Sequence, residues 1–113
     1  MKIFNDVTHD ELIKLLPKEY ADRLPKDPPG RKYLVLLFAT DRNDVNLSGK
    51  VRRGLKKVNL RPNQILLAVG SVFTLEALEA LSEAGAKILN ISEFPWTDED
   101  YLSVRQGRIP TGR

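Results

Sequence analysis

Three carboxylates, Asp41, Asp44 and Glu93, are the residues of this chain best suited to hold a divalent cation, and Thr40, Arg42 and Ser92 flank them. Acids gathered at strand ends are a common basis of Mg²⁺-dependent phosphoryl chemistry. A local role competes with that one. Asp41-Arg42-Asn43-Asp44 has the composition of a turn, and either Asp44 or Asn46 suits the N-cap of a following helix. The turn is the preferred expectation, so no metal ligand and no cofactor are assigned.

Gly70-Ser71 follows an apolar run and precedes a helix, the place where backbone N–H groups and the helix dipole can bind a phosphate. Neither G-x-G-x-x-G nor G-x-x-x-x-G-K-[ST] occurs in the chain, and Glu76 sits close enough to repel an anion. A glycine needed for the strand-to-helix turn is therefore preferred. Lys50, Arg53 and Lys57 recur at spacings of three and four with Arg52 and Lys56 beside them, a basic patch that suits a phosphate backbone. No aromatic residue lies between positions 39 and 72, so this stretch offers no base-stacking platform. A solvated face, or pairing with the acidic segment Glu76, Glu79 and Glu83 of the same or another subunit, ranks ahead of nucleic acid.

His9 is the single histidine, and any Ser-His-Asp site must use it; beside Asp10 and Glu11 it reads as a solvated helix-start residue. Trp96, in Phe94-Pro95-Trp96, is either a partner contact or the staple of a last helix, with the staple preferred.

The elements that must position these residues follow from apolar spacing. "YLVLLFA" (33–39) and "ILLAV" (65–69) are unbroken apolar runs of strand length, as expected for strands covered on both faces. "KILNIS" (87–92) is interrupted by Asn90 and belongs nearer an edge, and Lys2-Ile3-Phe4 is a candidate short edge strand. Thr8 with Glu11 forms a capping box for a helix over 9–16, with Val7 stapling onto Leu12. Leu47, Val51, Leu55 and Val58 form an apolar stripe on a helix within 46–60. Leu75, Leu78 and Leu81 form another, with Thr74 as N-cap and Gly85 at the C′ position.

The expected fold is a three-layer α/β/α domain with a small, mainly parallel three-stranded sheet, Rossmann-like or flavodoxin-like in its βαβαβ order, plus flanking N- and C-terminal helices. In this scheme residues 1–24 are a helical N-terminal segment, 25–32 a Pro/Gly connection, 33–106 the βαβαβα core and 107–113 a frayed tail. Thr40, Asp41, Arg42, Gly70, Ser71, Ser92 and Glu93 then share the carboxyl edge of the sheet, where open α/β sheets bind ligands.

The chain has 113 residues, one domain by size, with 18 basic and 15 acidic side chains and a net charge of +3. That balance does not announce a nucleic-acid binder. The absence of cysteine excludes disulfides and thiolate chemistry and suits a reducing, cytoplasmic setting. No apolar stretch reaches membrane-spanning length, and residues 1–24 lack the apolar block of a signal peptide. The function expected first is a small non-catalytic interaction module, homo-oligomeric or bound to a protein partner. The second is a phosphate-ligand or nucleic-acid binder using helix 46–60 and Gly70-Ser71. The third is a Mg²⁺-dependent hydrolase using Asp41, Asp44 and Glu93.

Overall fold

The computed structural model describes residues 1–16, 18–24, 31–41 and 43–91. Most of the 25–32 connection, the segment expected to form a last helix with Trp96, residues 107–113, Arg42, Ser92 and Glu93 lie outside the described residues.

The chain opens with β1 (Lys2–Val7), followed by α1 (His9–Leu15) and the short α2 (Lys18–Ala21). The capping box forms as its residue types dictate: Glu11 N donates to Thr8 Oγ1 at 3.2 Å, and Thr8 N donates to Glu11 Oε1 at 3.4 Å. Val7 and Leu12 are both buried in one apolar cluster, as the staple requires. Then come β2 (Lys32–Leu37), α3 (Ser48–Lys56), β3 (Gln64–Gly70), α4 (Leu75–Glu83) and β4 (Lys87–Asn90). Every residue of β3 is buried, and β2 is buried from Tyr33 onward, which is why neither run alternates with polar residues. Thr74 caps α4 by accepting from Ala77 N at 3.2 Å, and Gly85 closes it at φ +76°.

The sheet has four strands, not the expected three, in the order β1-β2-β3-β4. β2, β3 and β4 are parallel; β1 runs antiparallel along β2 and pairs its outer edge. The register of β1 shifts between Phe4 and Val7, where Asp6 adopts φ +53°. That bulge breaks the alternation of buried and exposed positions, so a full strand looks like a three-residue fragment in sequence.

Strand order rises without reversal, so the described residues form a mixed α/β sheet with one added antiparallel strand and no switch point of a doubly wound fold. Helices α3 and α4 therefore cover the same face. Leu34, Leu36, Phe38, Leu66 and Ala68 point to that side and pack with Val51, Ala77, Ala80 and Leu81. Tyr33, Val35, Leu37, Ile65, Leu67 and Val69 point to the other, where they meet Leu12, Leu16 and Leu24. Three layers result, and the two cores are separated by the sheet.

Two helix stripes differ in phase from their sequence expectation. In α4 the buried residues are Ala77, Ala80 and Leu81, while Leu78 is half-buried and Leu75 is 69% exposed. In α3, Val51 and Gly54 face the sheet, Leu55 and Val58 are half-buried, and Leu47 is 59% exposed. Small residues let each helix approach the sheet closely, and the leucines at the helix starts are left outside.

Candidate functional site at the carboxyl edge

The ends of β2 and β3 bring Thr40, Asp41, Gly70 and Ser71 together, as the parallel arrangement requires. What they build is a closed junction. Asn46, fully buried, lies between the two loops and satisfies backbone groups of both. Its Oδ1 accepts from Ala39 N at 3.1 Å, and its Nδ2 donates to Ala39 O at 3.0 Å and Val72 O at 2.9 Å. Its main chain joins in, with Asn46 N donating to Val72 O at 2.8 Å and Thr74 N donating to Asn46 O at 3.1 Å. The result is a short parallel bridge between Asn46 and Phe73 that continues the sheet past its strands.

Ser71 belongs to the same junction. Its N–H donates to Ala39 O at 3.0 Å, and its hydroxyl donates to Asp41 O at 2.9 Å. A Cβ on Gly70 would lie 2.7 Å from the Phe73 ring and 3.1 Å from Asn46 Nδ2. Gly70 is thus required for the close approach of a phenyl ring and an amide. An anion cradle needs free N–H groups and open space, and both are already used here. Phe73 in turn meets Phe38 edge to face, with ring centroids 5.7 Å apart. The monotonic strand order also removes the crevice that a reversal opens in doubly wound sheets.

Asp41 to Asp44 form the expected turn, with Asp44 N donating to Asp41 O at 3.0 Å and Asn43 N to Asp41 Oδ1 at 2.9 Å. Neither Asp44 nor Asn46 caps α3. The N-cap is Leu47, which offers no side-chain acceptor, because Asn46 is spent on the loop junction. Among the described residues no group of three or more histidines or acids could hold a metal ion, and Glu93 lies outside them.

His9 lies at the other end of the sheet from Ser71, across the length of a strand, about 20 Å for six residues. It is half-buried, which corrects the solvated expectation. Its Nδ1 is 3.1 Å from the hydroxyl of buried Tyr33, and the two rings stack.

That amino edge has its own polar cluster. Buried Gln64 donates from Nε2 to Asn5 Oδ1 and Asp6 Oδ1, each at 2.8 Å, and accepts from Arg61 N at 3.0 Å. Arg61 donates to Asp6 Oδ2 at 2.6 Å from an exposed position. The Gln64 amide, and then the Arg61 guanidinium, hold the Asp6 carboxyl below its ordinary range.

Beyond the junction, the carboxyl edge presents an open groove of about 560 Å³. Val45, Leu47 and Thr74 line it, with Asp44, Glu76, Lys50 and Arg53 as charged neighbours. Val45 is 42% exposed, and Leu75, between the groove residues Thr74 and Glu76, is the most exposed large apolar side chain among the described residues. On the outer layer, Arg52, Arg53, Lys56 and Lys57 of the α3 segment are exposed, as are Glu76, Glu79 and Glu83 of α4. The two charge stripes stand side by side, yet none of these residues forms an ion pair among the described residues.

The sequence expectation missed Asn46 as the organiser of the edge and took Leu47 and Leu75 as core. The signal for Asn46 was faint: a lone amide between two apolar residues in a polar loop. No helix among the described residues is long and apolar enough to cross a membrane. No protein-family model, curated protein or solved structure matches this chain.

Proposed function

We propose that this protein is a non-catalytic interaction module that works as a homo-oligomer in the cytoplasm and binds through its carboxyl edge and α3–α4 layer. The observation that carries this is the exposure of Leu47 and Leu75 at the starts of adjacent helices, beside Val45. Burying one such leucine is worth about 1.5–3 kcal/mol, enough for a few of them to hold a weak oligomer together. Rims of opposite charge, Lys50 and Arg53 against Asp44 and Glu76, give such a patch orientation and partner choice.

The chemistry needed for the other two functions is differently disposed. The Gly70-Ser71 turn is occupied by protein groups, and Asp41 is engaged in a turn. The basic patch remains, so phosphate or nucleic acid is the outcome that would displace this proposal.

The test is molar mass by light scattering across concentration and salt, on wild type and Leu75→Asp. Wild type is expected above monomer mass, and Leu75→Asp at monomer mass with an unchanged circular dichroism spectrum. A wild-type monomer at every concentration, binding an oligonucleotide with a salt slope that reversal of Lys50, Arg53 and Lys57 flattens, overturns it.

A further inference from the structure

Which surface of a second copy fits this one follows from the directions of two helices. β2, β3 and β4 are parallel and consecutive, and α3 and α4 each return from the carboxyl edge to the amino edge on one face. The helices therefore lie side by side and run the same way. Their outer surfaces carry opposite charge, Arg52, Arg53 and Lys56 on α3 and Glu79 and Glu83 on α4, all exposed. Each helix begins with an exposed leucine, Leu47 just before α3 and Leu75 at the first position of α4.

A two-fold axis lying in the plane of contact can run in two ways relative to this layer. An axis across the helices sets α3 on α3 and α4 on α4, so each stripe meets its own sign. An axis along the helices sets α3 of each copy on α4 of the other, and both contacts then join opposite charges. Rotation about that axis also preserves helix direction, so the carboxyl edges of both copies stay at the same end. Leu47 of one copy then falls beside Leu75 of the other, twice over, and the apolar groups close the end of the interface that the charges leave open.

We propose that the α3–α4 layer is the interface of a two-fold homodimer whose axis runs along these helices, with α3 packed on the partner's α4 and the leucine pairs meeting at the carboxyl edge. It rests on the interaction-module reading and specifies its partner as a second copy. The absence of ion pairs between α3 and α4 among the described residues leaves both stripes available to that copy.

The experiment uses two charge-reversed full-length chains. One carries Arg53→Glu with Lys56→Glu, the other Glu79→Lys with Glu83→Lys. Alone, each places like charges at both contacts and is expected to raise the dimer dissociation constant at least about tenfold. Mixed in equal amounts, they restore opposite charges at both contacts, and a heterodimer is expected by light scattering. Circular dichroism checks that each chain folds; should a double variant fail, the single changes Arg53→Glu and Glu79→Lys follow the same scheme. Variants that stay dimeric alone, or a mixture that stays monomeric beside a dimeric wild type, overturn this arrangement while leaving an oligomer. A monomeric wild type overturns the interaction reading itself.

Discussion

The two ends of the sheet solve the same problem, a buried side-chain amide beside a loop, with different partners. At the carboxyl edge Asn46 bonds to backbone groups of half-buried residues, the N–H and carbonyl of Ala39 and the carbonyl of Val72. At the amino edge two of the partners of Gln64 are the side chains of Asn5 and Asp6, which are exposed. Backbone groups left unpaired in the interior have nowhere to go, whereas exposed side chains turn to water. The first edge is therefore held by amide–backbone bonds, and at the second the amide bonds to a carboxylate, Asp6, whose protonation reaches it. The first edge is also the one that presents apolar surface.

The sharpest way to break this comparison is to remove both amides. Asn46→Ala is expected to cost about 3 kcal/mol in urea unfolding, because it leaves Ala39 N without its acceptor and removes one of the two or more bonds made by Ala39 O and Val72 O. A cost below about 1 kcal/mol would show that the loops do not depend on it. Gly70→Ala should come next, at about 2 kcal/mol, since Phe73 and Asn46 must both yield to the new methyl. Gln64→Leu keeps the volume and releases partners that water can serve, so about 1 kcal/mol is expected. Equal costs for the two amides would erase the distinction between the edges.

The smallest effects lie on the exposed Arg61–Asp6 pair. The folded state holds the Asp6 carboxyl below its ordinary range. Its contribution is thus present above that range and is lost as pH falls from about 4 through the folded value. Melting temperatures of wild type and Asp6→Asn should differ near neutral pH and converge at low pH. Arg61→Ala should shift stability at the edge of detection and lose even that in high salt. A difference that persists at low pH would assign Asp6 a packing role instead.

The parallel core was legible because its central strands are unbroken apolar runs and α4 carries a side-chain cap and a terminal glycine. β1 was half legible: its bulge at Asn5 and Asp6 destroys the period of two on which a strand is read. The carboxyl edge was legible as a location but not as a device. Gly70 and Ser71 have the composition of an anion site, and only the placement of Phe73 and Asn46 shows that their space is taken. Leu47 and Leu75 were misassigned because spacing alone ranks leucine above alanine for the core. How closely a helix rides on its sheet decides that choice, and here Ala77, Ala80 and Gly54 fill the contact.

Asn46 has a kinetic consequence as well. By tying the loop before α3 to the loop before α4, it sets the spacing of Leu47 and Leu75 before any partner arrives. A surface whose loops are already ordered loses little conformational entropy on association. Encounter should then proceed in a single step, with an on-rate governed by electrostatic steering between the charged stripes and a lifetime governed by the leucines. A variant that frees the loops would associate more slowly without changing a single residue of the contact surface.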